Sequence, residues 1–198
     1  MILCVEIEKI SAHLTSFSPL MDQYQKGDIK FSDNALKWLE KSEEIMSSLR
    51  LPEGSEMSTL RGRILKAKDS LHKKGGETKP SQSKIRRARN LASAEALDRA
   101  EAILRNRILS AEERLKVFED KLCEGITAFL VQNQLPESIT PRQTWLLLVW
   151  KHLCQFQATR PLTLYLAASL SQPDRIVILD KVLSRIFMSD FATSKITD

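Results

Sequence analysis

LDRAEAILRNRILSAEERLKVFEDKL, residues Leu97 to Leu122, is the stretch on which the fold turns. Leu97, Ala100, Leu104, Ile108, Ala111, Leu115, Phe118 and Leu122 recur at steps of three and four. That is heptad spacing, and it lays one apolar seam along a helix for three or more heptads. Such a seam needs a long partner helix. The chain offers two amphipathic helices of its own, over residues 33–50 and 55–73, and a second chain is the other way to cover it. The helical pattern runs from about Ser83 to Gln132. Ser110 with Glu113 fits a capping box, so this region reads either as one helix or as two broken near Leu109.

Composition points the same way. Six glycines in 198 residues compare with roughly fourteen at average usage, and helix-favouring Leu, Ala, Glu, Lys and Arg are abundant. The fold class is all-α, a helical bundle with a long central helix and a projecting basic helical hairpin.

Working outward, Met57, Leu60, Ile64 and Leu71 form a single stripe on a helix capped by Ser55 and reaching about Lys73. Leu36, Leu39, Ile45 (or Met46) and Leu49 form another, capped by Ser32 or Asp33 and stopped by Pro52 and Gly54. Residues 2–16 read as a first helix, with a short strand at ILCVEI as the competitor, and Pro19 and Gly27 bracket an ill-defined stretch. Beyond the seam, Thr140 and Pro141 open a helix, the threonine as cap. Its run Trp145–Trp150 is apolar on every side, as in a helix covered all round. Pro161 and Pro173 start two further short helices, the second striped by Ile176, Leu179, Leu183 and Ile186. The expected organisation is N-terminal helices over 1–72 and a basic flexible loop over 73–84. A C-terminal helical region over 85–190 shares a core with the N-terminal helices, and a frayed tail covers 191–198.

No catalytic, cofactor or metal site is expected. The sequence lacks a phosphate-binding Gly-rich loop with its lysine, a dinucleotide fingerprint and an H-E-x-x-H pair. Only His152 and Cys154 neighbour one another among the three His and three Cys, and a spacing of two turns them to different helix faces. None of His13, His72 or His152 follows an Arg by four to six residues, the pairing common in all-helical ribonucleases. Carboxylates such as Glu40 and Glu112 alternate with Lys41 and Lys116, the pattern of a solvated helix face. Three scattered cysteines make no secretory framework, the N-terminus has no signal-peptide pattern, and the six-residue WLLLVW run is far short of a membrane span of about twenty. The expected setting is cytoplasmic, with no membrane role.

Charge supplies the functional signal. The segment from Arg61 to Arg89 holds eleven basic and two acidic residues, a formal +9, whereas the other 169 residues hold 19 basic and 23 acidic, or −4. A concentrated basic stripe on a mildly acidic body is the footprint of polyanion binding. Lys68, Lys73, Lys74, Lys79, Lys84, Arg86, Arg87 and Arg89 are the predicted nucleic-acid contacts, placed around the tip of a helical hairpin. The segment has no Phe, Tyr or Trp, which favours backbone phosphate contact with low sequence selectivity over base stacking. Two other readings remain open, an acidic protein partner and an idle solvated tip. The second functional theme is assembly, hetero- or homo-oligomeric, with Leu104, Ile108, Leu115, Trp145 and Trp150 as the predicted partner interface.

Overall fold

A computed structural model describes residues 3–74, 81–137 and 139–193, with side chains over 3–67, 81–137 and 139–187. Among the described residues there are eight α-helices and no strand: α1 (Leu3–Leu14), α2 (Phe17–Gln25), α3 (Phe31–Ser48), α4 (Gly54–Lys74), α5 (Gln82–Leu130), α6 (Arg142–Gln155), α7 (Arg160–Ser169) and α8 (Gln172–Thr193). The class is all-α with a long central helix, α5, of 49 residues. The capping signal at Ser110 and Glu113 does not interrupt it. A capping serine competes with helix only where the backbone is free to leave it, and Ala111 beside Ser110 is buried.

The chain forms two compact units, Glu6–Leu109 and Met1–Val5 with Ser110–Asp198. The division falls between Leu109 and Ser110 and again after Val5, not at the basic loop around 73–84. The C-terminal region expected over 85–190 is therefore split: residues up to 109 share a core with the N-terminal helices, and the rest belong to the other unit.

In the 6–109 unit, Ile10, Phe31, Leu39, Met46, Met57, Ile64 and Leu97 are fully buried around one core, which Ala100 and Leu104 join from α5. Fully burying each large side chain contributes about 1.5–3 kcal/mol. Residues 19–27, expected to be ill-defined, are largely helix α2. Pro19 is third in that helix, where its missing N–H costs nothing. α2 ends in a Schellman turn at Gly27 (φ +68°), with Asp28 N–H donating to the Gln23 carbonyl at 3.0 Å. α3 ends the same way, but with Arg50 (φ +57°) in the left-handed position and Leu51 N–H donating to Met46 O at 2.9 Å. Leu51 is buried beside the turn, so its packing stands in for the missing glycine.

Two expected caps are corrected. α3 starts at Phe31, because that ring is buried and draws the first turn into the core. Ser32 is then inside the helix and hydrogen-bonds to α5 instead of capping. Ser55 likewise follows the first residue of α4 and donates to the Pro52 carbonyl at 2.9 Å.

In the other unit, Phe118, Leu122, Ile126 and Phe129 of α5 are buried, as are Trp145, Val149 and Leu153 of α6, Leu166 of α7 and Leu179, Val182 and Leu183 of α8. A Cβ on Gly125 would fall 2.4 Å from Leu162 Cδ2, so α5 and α7 pass closely there. The Trp145–Trp150 run is not covered all round, since Leu147 is exposed. Thr140 does not cap α6; the Thr140–Pro141 peptide is cis and Pro141 precedes the helix. Pro161 and Pro173 do sit in the first turns of α7 and α8, although α8 is 22 residues long rather than short. α8 continues through 191–193, which the frayed-tail expectation had included; residues 194–198 lie outside the described residues.

Asp174 is the strongest polar feature of this unit. It is completely buried, and its carboxylate accepts from the N–H groups of Leu3 and Cys4, each at 3.0 Å, and from the Ser171 hydroxyl at 2.8 Å. Ser171 in turn accepts from the Asp174 N–H. One carboxylate thus satisfies the open donors at the first turns of both α1 and α8, where the helix dipoles also favour negative charge.

Candidate nucleic-acid interface

The basic segment begins on α4 and resumes on α5. In the 6–109 unit α4 runs antiparallel to this part of α5, since Glu53 lies 3.7 Å from Arg107 while α3's first turn meets Asn90. Among the described residues, two cations of the segment are neutralised by α3. Arg61 lies between Glu40 and Glu43, 3.2 Å from each, and Arg89 pairs with Asp33 at 2.8 Å. Both partnerships join residues far apart in sequence. Arg89, a predicted phosphate contact, is therefore half-buried and already committed to a carboxylate.

Lys84, Arg86 and Arg87 differ. All three are exposed in the first two turns of α5, and among the described residues no carboxylate lies within ion-pair distance of them. α5 also has no acidic residue in its first turn. The helix macrodipole puts about half a positive charge at that end, where cations are locally unfavourable. Three lysine and arginine charges are thus added to an already positive terminus. The Ser81 carbonyl accepts from Ile85 N–H at 3.1 Å, and Ser81 Oγ lies 3.4 Å from the Lys84 nitrogen, so the serine stands at the cap position. Lys84 and Arg87, three apart, share one helix face, while Arg86 and Arg89 share another. The side chains of Lys68, Lys73 and Lys74, and Lys79 altogether, lie outside the described residues.

The face that carries Arg86 borders a groove of about 550 Å³ between the α2–α3 turn and the start of α5. Ile29, Ser32 and Asp33 line it from one side and Ile85, Arg86 and Asn90 from the other. Its floor is a fixed polar chain. Ser32 Oγ donates to Asn90 Oδ1 at 2.7 Å, and the buried Ser93 hydroxyl lies 3.1 Å from Ser32 Oγ and 2.8 Å from the Arg89 carbonyl. That orientation leaves the Asn90 Nδ2 donors without a partner among the described residues. Ile29 is 73 % exposed. Sequence reading missed Ile29, Ser32 and Asn90, because nothing in a linear chain marks residues almost sixty positions apart as two walls of one groove.

The predicted partner-interface residues scatter. Leu104 is 1 % exposed in the core of the 6–109 unit and Ile108 packs partly buried against that core. Leu115 is half-buried. Trp145 is buried, with its indole N–H donating to the Pro136 carbonyl at 2.9 Å, and Trp150 is half-buried under the Arg175 guanidinium, 5.2 Å from its ring centroid. The heptad seam is thus largely covered by the chain's own packing. The apolar surface left over includes a groove of about 560 Å³ in the 110–198 unit, where Leu130, Leu135, Pro136 and Phe187 surround Trp145.

Other ionisable groups are structural in their surroundings. Glu119 is buried and held by Lys181 at 2.5 Å and Arg185 at 3.0 Å. Burial and the neighbouring Asp174 carboxylate push the Cys4 thiol up to about 12. His13 stacks on Trp38 with ring centroids 4.5 Å apart and lies 2.8 Å from Ser42 Oγ, and burial holds it below the ordinary histidine value. Among the described residues, no three His, Cys, Asp or Glu side chains are grouped closely enough to share a metal ion, and no helix is long and apolar enough to cross a membrane.

No protein-family model matches the chain, and no curated protein or solved structure is significantly similar to it.

Proposed function

We propose that this is a non-catalytic, cytoplasmic accessory protein that contacts the phosphate backbone of nucleic acid through its basic segment. The observation that carries the reading is the exposed, uncompensated set Lys84, Arg86 and Arg87 at the positive end of α5. In the free chain these charges oppose the helix dipole and one another. A run of phosphates reverses both effects and releases condensed counterions. Surface cations elsewhere in the segment, Arg61 and Arg89, already have carboxylate partners and are left out of the contact set.

Fluorescence anisotropy with duplex DNA, single-stranded DNA and structured RNA across a salt series tests the reading. Wild type binds, and log K falls linearly with log salt. The Lys84→Glu/Arg86→Glu/Arg87→Glu variant loses about three contacts, so the salt slope shrinks by about 2.7. Absence of wild-type binding at low salt, with capture of polyglutamate instead, replaces nucleic acid with an acidic protein surface.

A second reading, a protein partner on the C-terminal helices, is favoured by the groove beside Trp145. Phe187 at its rim is 39 % exposed and Val131, next to the groove wall Leu130, is 79 % exposed. Light scattering on wild type and Val131→Asp/Phe187→Asp tests it for self-association; an unchanged monomer in both removes that form of it.

A further inference from the structure

We propose that the groove between the α2–α3 turn and the start of α5 receives an unpaired nucleobase, which makes the interface selective for single-stranded nucleic acid. This rests on the phosphate-binding reading above and adds to it the strand form that is bound. Three features of the groove specify its ligand. First, its rims are aliphatic: Ile29 from the α2–α3 turn and Ile85 from α5. They offer apolar surface to the flat face of a ring, and Ile29 at 73 % exposure has no other cover. Covering Ile29 with a base removes its apolar surface from water, which is favourable.

Second, the floor presents free donors in a fixed direction. Ser32 Oγ–H holds Asn90 Oδ1 at 2.7 Å, so the Asn90 amide turns its two Nδ2 hydrogens away from that bond. Base edges carry acceptors suited to it, such as the pyrimidine O2 and O4 or the purine N7 and O6. In a duplex some of these acceptors stay open in the grooves, but the base faces are stacked, so both demands of this groove are met together only by a base out of the helix. Third, Arg86 stands on the groove wall without a carboxylate partner among the described residues, while Lys84 and Arg87 occupy the adjoining face of the same two turns. A phosphodiester leaving the groove meets those cations. The volume of about 550 Å³ is within the 300–1,000 Å³ of small-ligand sites and accommodates one nucleotide.

Aromatic residues are absent from the basic segment, which would otherwise argue against recognition of bases. The groove supplies aliphatic faces instead, Ile85 from within that segment and Ile29 from some thirty residues before it. Asp33 bears on the selectivity as well. Its Oδ1 is taken by Arg89, and the remaining carboxylate oxygen repels a phosphate but accepts from a base N–H. A groove meant for phosphate alone would not carry that carboxylate.

The experiment compares fluorescein-labelled dT12, rU12 and a 12-base-pair duplex at one salt concentration, by anisotropy, with wild type, Ile29→Ala, Asn90→Ala and the Lys84→Glu/Arg87→Glu pair. Ile29 is a surface residue, so its variant folds as wild type does; circular dichroism checks Asn90→Ala. The expected result is tighter binding of the single strands than of the duplex. Each groove variant then weakens single-strand binding about fivefold and leaves duplex binding within about twofold, whereas the cation pair weakens all three probes. Equal affinities for single strands and duplex, with both groove variants silent, overturn the base site and leave the phosphate reading standing. Absence of binding to every probe overturns both.

Discussion

Two clusters of cations, one in each unit, teach opposite lessons. In the 110–198 unit, Lys181 and Arg185 close on Glu119, and Arg142 donates to Asp180 and to Ser184 Oγ. In the 6–109 unit, Lys84, Arg86 and Arg87 face solvent at the positive end of a helix with no carboxylate within ion-pair distance among the described residues. The residue types match, two arginines and one lysine in each. What differs is whether folding supplies the counter-charge. Where it does, as at Glu119, the cations satisfy a buried carboxylate and serve stability. Where it does not, they stay a surplus of positive charge, which the proposed phosphate contacts offset.

Reversing charge in each cluster is the strongest way to break this comparison. Lys84→Glu/Arg86→Glu/Arg87→Glu is expected to lower nucleic-acid affinity by about three orders of magnitude at low salt, roughly tenfold per lost contact. It should also raise stability by about 0.5 kcal/mol, because acidic residues suit a helix N-terminus. Lys181→Glu/Arg185→Glu should do the reverse, leaving affinity unchanged within about twofold and lowering stability by about 2 kcal/mol. That figure is discounted from the ~3–5 kcal/mol of a fully buried pair because both cations are more than half exposed. Urea unfolding and anisotropy on the same two variants give all four values. Binding lost equally in both would mean that net charge alone governs the interaction.

The next largest effect sharpens the buried side of the comparison. Asp174→Ala leaves the N–H groups of Leu3 and Cys4 and the Ser171 hydroxyl without their acceptor in a completely buried setting. A loss of about 3 kcal/mol in urea unfolding is expected, with nucleic-acid affinity unchanged below the transition. Asp174→Asn keeps the shape but replaces one acceptor oxygen by a donor, so it recovers only part of the loss. Full recovery would show that packing, not the carboxylate's hydrogen bonds, holds the first turn of α1.

How much of this was legible in the sequence follows from range. The 3–4 spacing from Leu97 to Leu122 identified α5, and Pro161 and Pro173 marked α7 and α8, because each signal is complete within one or two turns. Gly27 was read as punctuation, and it is the left-handed end of α2, not the end of a loop. Ser32 and Asp33 looked like caps on local chemistry alone; burial of Phe31 moved the start and turned both side chains toward α5. The candidate site was legible only in part. Counting charges found the segment, but whether a given arginine is spent depended on Glu40, Glu43 and Asp33, which arrive from another helix. The seam itself was ambiguous for the same reason: spacing says that Leu104 must be covered, not by what.

The smallest expected effects separate the units by pH. In the 6–109 unit, burial holds His13 below its ordinary value, and the nearby Lys41 charge adds to this. The unfolded chain takes up a proton near pH 6.5 that the folded chain resists, so the stability present above that pH is lost as it falls. In the other unit, the Cys4 thiol is pushed up to about 12, first by burial and then by Asp174. There the unfolded chain releases its proton near pH 8.5 while the folded chain keeps it. Stability is therefore full below that value and declines as pH rises toward about 12. Urea midpoints between pH 5 and pH 10 should fall at both ends. His13→Gln is expected to flatten only the acid limb, and Cys4→Ala only the alkaline one. If either substitution flattened both limbs, the pH dependence would belong to groups shared across the chain, and the contrast between the units would not extend to their protonation.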